Sequence, residues 1–113
     1  MSNHGGRQLD SSPPALSALP NIRNTVGPNM PIIFDSGARN GEDVVKALAL
    51  GANFVMLGRP IMMAIAASRK KGLYDYLSLL KDEIGVVMAQ LGINDLEKIS
   101  GDVLYDGISK NIR

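Results

Sequence analysis

The chain has 113 residues, of which 45% are hydrophobic and 20% charged, a composition ordinary for a single globular domain. Its 12 basic and 11 acidic side chains give a formal net charge of +1, which argues against nucleic acid or an anionic membrane surface as a partner. The absence of cysteine excludes disulfides, thiolate metal ligands and a cysteine nucleophile and favours the cytoplasm, while no apolar run is long enough to span a membrane or opens as a signal segment.

The amino-terminal segment is predicted to be a loop that leads into a short helix. Gly5 and Gly6 interrupt regular structure around His4. A helix is expected to begin at about Pro14, because proline is favoured in the first helical turn. Pro20 is expected to end or kink that helix, since proline lacks the N–H that continues the hydrogen-bond ladder.

Two compact apolar runs predict the strands of this chain. Residues 31–34 form the first run, which stops at Asp35, and residues 54–57 form the second, which stops at Gly58. Such runs are typical of strands buried on both faces, and a helix between them makes parallel pairing with a right-handed crossover the default. A sheet of two parallel strands leaves both outer edges unpaired, so we expect something else to cover them.

A helix is predicted after each strand. Asn40 can cap a helix that continues over 44–50 and ends at Gly51. After the second strand, a segment rich in Met and Ala predicts a helix over 60–68.

The clearest helical pattern lies in the carboxyl-terminal third of the chain. It is one apolar stripe made of Leu73, Leu77, Leu80, Ile84, Val87 and Leu91. Glu83 lies off this stripe, and Gly92 is expected to end the helix. Asn94 and Glu97 have the spacing of a capping box, which predicts a last short helix, and residues 106–113 are expected to fray.

Each predicted strand is followed by a glycine and an arginine, Gly37 with Arg39 and Gly58 with Arg59. Glycine allows a close backbone approach to a phosphate, and arginine supplies a planar fork of donors that matches phosphate oxygens. One such pair is explained as well by a tight turn and a surface charge. Two pairs at equivalent ends of neighbouring strands favour a phosphate site.

Three further side chains have open interpretations at this level. His4, the only histidine, precedes Arg7 by three residues, and a base beside a fixed cation suits an acidic substrate with a removable proton. A lone histidine is nevertheless more often a surface residue. Asp35 can accept hydrogen bonds from a ligand's hydroxyls or cap the next turn, and the pattern favours neither.

The chain closely resembles the FMN-dependent α-hydroxy acid dehydrogenases and oxidases, the family of L-lactate dehydrogenase, glycolate oxidase and mandelate dehydrogenase. The resemblance runs through segments 2–10, 35–41, 43–52 and 58–60, which read SNHGGRQLD, DSGARNG, DVVKALALGA and GRP. These segments occur in the family's order and at the family's spacing. Ser36 stands where many relatives have a second glycine, a change compatible with serine if the backbone there needs no positive φ.

The resemblance implies an α/β fold, the carboxyl-terminal part of a (β/α)8 TIM barrel with strands seven and eight and their flanking helices. One partial domain would then cover residues 1–113. His4 would be the catalytic base, and Arg7 would bind the carboxylate of a small 2-hydroxy acid. The cofactor FMN would be held by Asp35 at its ribityl chain and, at its phosphate, by a set of loop residues. That set is Gly37, Arg39, Gly58 and Arg59.

The same resemblance implies limits on what this chain does alone. The family's larger amino-terminal portion supplies the other wall of the flavin pocket, a lysine near the flavin ring, substrate-contacting tyrosines and an aspartate partner for the histidine. These parts have no counterpart here. We therefore predict an FMN-dependent oxidation of an L-2-hydroxy acid, with L-lactate as substrate, in which this chain is a partial and inactive piece.

Other interpretations remain open beside this one. The chain could be a non-catalytic fragment that binds phosphate or FMN weakly and covers its strand edges by self-association or with the missing barrel portion. A nucleotide-binding barrel such as inosine monophosphate dehydrogenase is disfavoured, because its chemistry needs a cysteine. The predicted location is cytoplasmic, which for the full-length enzyme is compatible with peripheral attachment to a membrane, and no metal site is predicted.

Overall fold

A computed structural model describes residues 1–105, which form a two-stranded parallel sheet with helices packed against it. The helices and strands, in chain order, are α1 (Ala15–Val26), β1 (Ile33–Asp35), α2 (Gly41–Ala49), β2 (Phe54–Met56) and α3 (Arg59–Gln90). Short 3-10 turns lie at His4–Gly6, Leu96–Lys98 and Gly101–Val103. Residues 106–113, where fraying is predicted, lie outside the described residues.

The strands pair in parallel, as predicted, but only one face of the sheet is covered. Phe34 is 2% exposed and packs among α1 and α2. On the opposite face, Ile33 is 48%, Phe54 64% and Met56 56% exposed. The expectation of strands buried on both faces is therefore wrong for this chain, because both helices that contact the strands pack on the face that carries Phe34.

The outer edge of β1 is partly covered by the first residue of the chain. The amino group of Met1 donates to the Ile33 carbonyl at 2.8 Å, and the Asp35 N–H donates to the Met1 carbonyl at 2.9 Å. This alternation is the pattern of a residue in a neighbouring parallel strand. The predicted cover of the sheet edge is thus supplied in part, beside β1, by Met1 of the same chain.

Helix α1 begins after Pro14, as predicted, but continues through Pro20 to Val26. An interior proline costs a helix about 3 kcal/mol, so other contacts must offset that cost. Leu19 is completely buried in the core beside Ala15. Of the two outcomes predicted for Pro20, an end of the helix does not occur, because Leu19 before the proline packs in the core and Ile22 after it packs against the core.

The last turn of α1 carries Arg23, which ties together the amino end of the sheet. Its Nε and Nη2 atoms donate to the Gly51 carbonyl at 2.9 and 2.7 Å. Nη1 donates to the carbonyls of Gly27 and Met30 at 2.8 and 2.7 Å, and Nη2 also donates to Asn53 Oδ1 at 2.7 Å. Every N–H of this guanidinium is engaged within the chain.

Helix α2 forms as the sequence predicts. Asn40 Oδ1 accepts the Asp43 N–H at 2.9 Å and caps the helix, while Glu42 and Lys46 form an ion pair one turn apart at 2.6 Å. Gly51, at φ +105°, follows the end of the helix. The buried residues of α2 lie on two sides of the helix: Ala47 packs in the core with Phe34, and Gly41 packs against α3.

Helix α3 contains a break at Ser68 and Arg69, which agrees with the prediction of one helix over 60–68 and another after it. Its second half packs against α2 at Gly41, where a Cβ atom would lie 2.5 Å from the backbone nitrogen of Ile84. Glu83 Oε2 accepts the Gly41 N–H at 2.7 Å. Glu83, which lies off the apolar stripe, therefore faces α2.

The segment after α3 departs from prediction in its cap. Gly92 ends the helix at φ +72°, as expected. Asp95, and not Asn94, caps the following 3-10 turn by accepting the Glu97 N–H at 3.0 Å. Asn94 accepts from Lys98 Nζ at 2.9 Å instead, because a three-residue turn is too short for the capping-box spacing.

Across residues 1–105, none of the helices is both long and apolar enough to cross a bilayer.

Candidate functional site

A cavity of about 250 Å³ opens at the carboxyl ends of β1 and β2. All of the site residues predicted from the sequence line it: His4, Arg7, Asp35, Gly37, Arg39, Gly58 and Arg59. The parallel strands end side by side, so the loops that follow them and the amino-terminal loop converge on one concavity. Ligands collect at this edge of parallel α/β structures.

The loop that carries His4 is tightly wound. His4, Gly5 and Gly6 all have left-handed backbones, with φ of +54°, +65° and +76°. Asn3 Oδ1 accepts the Gly5 N–H at 3.0 Å, and the His4 N–H donates to Ser2 Oγ at 3.0 Å. The side chains of His4 and Arg7 are exposed at the cavity.

Asp35 lies where β1 ends and accepts a hydrogen bond from Ser2 Oγ at 2.6 Å through Oδ2. Asp35 therefore contacts the His4 loop, and the turn-capping alternative has no support in its hydrogen bonds. Within residues 1–105 its other oxygen, Oδ1, accepts no hydrogen bond, and Asp35 lines the cavity. That oxygen can accept a hydrogen bond from a ligand hydroxyl.

Ser36 has φ +104°, a backbone that favours glycine. The condition under which serine is compatible with this position, a backbone without positive φ, is therefore not met. The Ser36 hydroxyl lies 3.2 Å from the Asn3 nitrogen and 3.1 Å from the Gly5 nitrogen, so it accepts both N–H groups of the His4 loop. These contacts join the loop after β1 to the loop that carries His4.

The glycines that follow the strands leave room for a ligand. Gly37 has φ +95°, and a Cβ atom built at Gly37 or at Gly58 would have no atom within 4 Å. Both stretches of backbone are therefore open toward the cavity and are not filled by other parts of the chain. This arrangement fits an anionic group held by backbone amides.

The arginines beside these glycines are only partly engaged. Arg59 Nη2 donates to the Gly5 carbonyl at 2.8 Å, and the Arg39 guanidinium donates no hydrogen bond within the described part of the chain. Both side chains are exposed and line the same cavity. Two cations with unused donors beside open backbone suit a phosphate.

The backbone of Arg39 is held by residues that the sequence patterns did not single out. Its N–H donates to Asp43 Oδ2 at 2.9 Å, and its carbonyl accepts the Tyr76 hydroxyl of α3 at 2.9 Å. Partial burial raises the pKa of Tyr76, and the carboxylates of Glu83 and Asp43 raise it further. The phenol therefore stays protonated and remains a donor.

A signal for this support was present in the sequence. Tyr76, Leu80 and Glu83 share one face of α3 by their spacing, and two of them are polar. A polar pair that flanks a buried leucine indicates a helix face that contacts a polar neighbour, here the loop before α2.

The cavity adjoins a second one of about 320 Å³, and the two share Gly5, Gly37, Arg39 and Arg59. Together they fall within the range of roughly 300–1,000 Å³ that is usual for small-molecule pockets. Both are open to solvent, so the described residues line a ligand site without enclosing it. Among residues 1–105 no group of three or more His, Asp or Glu side chains is arranged to hold a metal ion.

The chain was compared with protein-family models, curated proteins and solved structures. The model of the FMN-dependent dehydrogenase family matches residues 1–106. A 2-hydroxyacid oxidase of Dictyostelium discoideum is 43% identical over 106 residues, which are 94% of this chain and 27% of that protein.

Solved structures give the same result. A monotopic membrane protein, (S)-mandelate dehydrogenase, matches with a TM-score of 0.87 and 43% identity over 93% of this chain and 28% of its own. A mandelate oxidase matches with a TM-score of 0.80 and 42% identity over 85% of this chain and 29% of its own.

This chain spans between a quarter and a third of the length of those relatives. The match nevertheless covers nearly all of the chain and includes every loop of the cavity. The chain therefore belongs to the FMN-dependent dehydrogenase family, as the sequence resemblance predicts, and the enzymes of this family use FMN.

Proposed function

We propose that the protein carrying this sequence oxidises an L-2-hydroxy acid to the corresponding 2-oxo acid with FMN. The proposal is carried by one observation. His4, the carboxylate of Asp35 and the loops of Arg39 and Arg59 all line one cavity at the carboxyl end of the sheet, and the two arginines keep most of their donors unused. Membership of the FMN-dependent dehydrogenase family supports it independently.

The phosphate of FMN is held, in this proposal, by the loops that follow the two strands. Gly37 and Gly58 offer open backbone, and Arg39 and Arg59 offer donors toward the cavity. Asp35 Oδ1 accepts from a hydroxyl of the ribityl chain. FMN, when bound, supplies the acceptor for the two electrons removed from the substrate.

The substrate is bound and deprotonated by the amino-terminal loop. Arg7 pairs with the substrate carboxylate, which a guanidinium contacts in two places at once. His4 takes the proton of the 2-hydroxyl group, a role for which a neutral imidazole is suited near neutral pH. Both side chains line the cavity next to the phosphate loops, which supports this division of roles.

Within the class of 2-hydroxy acids we propose L-lactate as the substrate. Relatives named for mandelate make mandelate the competitor that a substrate panel must include. We also propose a cytoplasmic location, with or without peripheral attachment to a membrane.

The chain by itself is proposed to bind FMN weakly and to be inactive. Its cavity is open to solvent, and the chain spans less than a third of the length of its relatives. The exposed apolar residues of the sheet, Ile33, Phe54 and Met56, form a face that either a second copy or the rest of a barrel would cover. Self-association of the isolated chain is the expected consequence.

The binding test is a titration of FMN with the full chain, followed by quenching of flavin fluorescence. Arg39→Ala and Arg59→Ala are each expected to weaken FMN binding about tenfold or more, as for loss of a charged hydrogen bond. Riboflavin, which lacks the phosphate, is expected to bind far more weakly than FMN. Equal binding of riboflavin and FMN would contradict the proposed phosphate site.

A matched control is Lys70→Ala, which removes one positive charge from an exposed position on α3 outside the cavity. It is expected to leave FMN binding unchanged. An equal loss in this variant would assign the effect to net charge and remove the argument for Arg39 and Arg59.

A further inference from the structure

We infer that Ser36 is a positioning residue, whose hydroxyl holds the His4 loop against the loop that follows β1. The inference rests on the proposed function only in that His4 is taken as the base. The contacts that carry it belong to the fold of this chain and involve no cofactor.

The backbone of Ser36 is the first indication. Among the non-glycine residues of 1–105, only His4, Ser36 and Arg69 have positive φ. At φ +104°, Ser36 lies outside the small left-handed region that side chains tolerate. Glycine would adopt this conformation without strain, so the serine side chain must contribute something that glycine lacks.

The hydroxyl of Ser36 uses its full hydrogen-bonding capacity. It accepts the Asn3 N–H at 3.2 Å and the Gly5 N–H at 3.1 Å, which occupies both lone pairs. Its remaining partner is Ser2 Oγ at 3.2 Å. Ser2 already donates its single proton to the carboxylate of Asp35, so Ser36 is the donor in this pair.

The partners of Ser36 surround His4 in the chain. Asn3 and Gly5 are its immediate neighbours, and Ser2 accepts the N–H of His4 itself at 3.0 Å. Of the three left-handed residues His4, Gly5 and Gly6, only His4 has a side chain that disfavours the conformation, so the residues on either side of it need fixed partners. The Ser36 hydroxyl supplies those partners from the strand end, and thereby sets where the imidazole stands.

A second contact holds the same loop from the other side of the cavity. Arg59 Nη2 donates to the Gly5 carbonyl at 2.8 Å, and a Cβ atom at Gly5 would lie 2.0 Å from that nitrogen. Arg59 is exposed and is part of the proposed phosphate site. Ser36, which is not one of the proposed phosphate ligands, holds the loop together with the contacts of Met1 and Ser2 to β1.

The test uses amide hydrogen exchange and NMR of the full chain without cofactor. In Ser36→Gly the backbone strain is relieved and the hydroxyl is lost. We expect the Asn3 amide, whose only acceptor among the described residues is Ser36, to exchange about tenfold faster, as for loss of one hydrogen bond. The Gly5 amide keeps Asn3 Oδ1 as an acceptor and is expected to accelerate less. The Asp43 amide, which is bonded to Asn40, is expected to keep its rate. Ser36→Ala loses the hydroxyl and keeps the strain, and is expected to show the same local change.

The imidazole gives a second measurement, because His4 is the only histidine in the chain. In Ser36→Gly its ring signals are expected to move toward the positions of an unstructured histidine, with no loss of global stability in urea. A matched control is Ser17→Ala, which removes a hydroxyl that donates to the Pro14 carbonyl outside the site. It is expected to leave the Asn3 and Gly5 amides and the His4 ring unchanged.

The inference is overturned if Ser36→Gly leaves the exchange rates of Asn3 and Gly5 as they are, or if it raises the rates of all amides together. The second result would make Ser36 a general stability residue. If Ser36→Ala does not fold, Ser36→Gly decides alone. None of these readouts depends on FMN or turnover, so a failure of the proposed function would appear separately, as absent FMN binding.

Discussion

At the amino end of the sheet one arginine has every donor engaged, whereas at the carboxyl end two arginines keep most of theirs unused. Arg23 bonds to the loops that lead into both strands. Arg59 makes one backbone contact, and Arg39 makes none through its side chain within residues 1–105. The three residues are chemically identical, so the difference lies in their surroundings.

The comparison separates stability from binding. A guanidinium whose donors are saturated by backbone carbonyls holds the fold and has nothing left for a ligand. A guanidinium with unused donors beside open glycine backbone contributes little to folding and is available for an anion. This division matches the general rule for α/β barrels, in which the amino-terminal face serves stability and the carboxyl-terminal face carries function.

The largest effect is expected at the amino end. Arg23→Ala should lower the free energy of unfolding by about 3 kcal/mol, because the carbonyls of Gly27, Met30 and Gly51 lose charged partners. Urea denaturation followed by circular dichroism measures this change. A loss below about 0.5 kcal/mol would remove the distinction between the two ends.

A smaller but clear loss is expected where α3 supports the carboxyl end. Gly41→Ala should destabilise the chain by about 2 kcal/mol, because its Cβ would overlap Ile84 and Glu83. Gly85→Ala is the matched control on α3, since its Cβ meets no atom within 4 Å. It should stabilise the helix by up to about 1 kcal/mol. If Gly41→Ala and Gly85→Ala change the free energy of unfolding by the same amount and in the same direction, α2 and α3 do not pack closely.

The support of the Arg39 backbone can be tested at Tyr76. Tyr76→Phe should cost about 1 kcal/mol through loss of the hydrogen bond to the Arg39 carbonyl. Tyr74→Phe, on the same helix with its side chain 73% exposed, should have no effect.

The same substitution has a predictable dependence on pH. The pKa of Tyr76 is raised in the folded chain, so the folded state holds the phenolic proton more tightly than the unfolded state. Its contribution is therefore complete below the unfolded pKa of about 10 and is lost as pH rises through the folded value. The stability difference between the chain and Tyr76→Phe should shrink above pH of about 10; a constant difference would mean that the phenol does not donate to Arg39.

The smallest effect on stability is expected for an arginine of the carboxyl end. Arg39→Ala should change the free energy of unfolding by less than about 0.5 kcal/mol, although it weakens FMN binding. Measured beside Arg23→Ala, it tests the comparison directly. A loss as large as that of Arg23→Ala would assign Arg39 to the fold.

Much of the local structure follows from short-range patterns. The strand positions, the cap at Asn40, the break between the two halves of α3 and the end at Gly92 are all predicted, because each depends on residues within one or two turns. The patterns failed at Pro20 and at the cap before Leu96. The helix continues through Pro20 because the burial of Leu19 offsets the cost of the proline. Asp95 replaces Asn94 as the cap because the turn that follows has three residues, too few for the capping-box spacing.

The site shows the same division. The residues that line the cavity are predicted because strand ends, glycines and arginines recur at fixed spacing in the sequence. The positive φ of Ser36 was not predicted, and Tyr76 was not identified. Their roles come from contacts with residues 31 and 37 positions away in the chain, which no local pattern encodes.

The sequence by itself determined the order of strands and helices, the glycine and arginine loops at the strand ends and the family resemblance. Only the tertiary structure decided which arginine is saturated and which keeps its donors, which sheet face is covered, and that Ser36 holds the His4 loop. Hydrogen-bond saturation and burial arise between segments far apart in the chain. They exist only once the chain has folded and those segments are in contact.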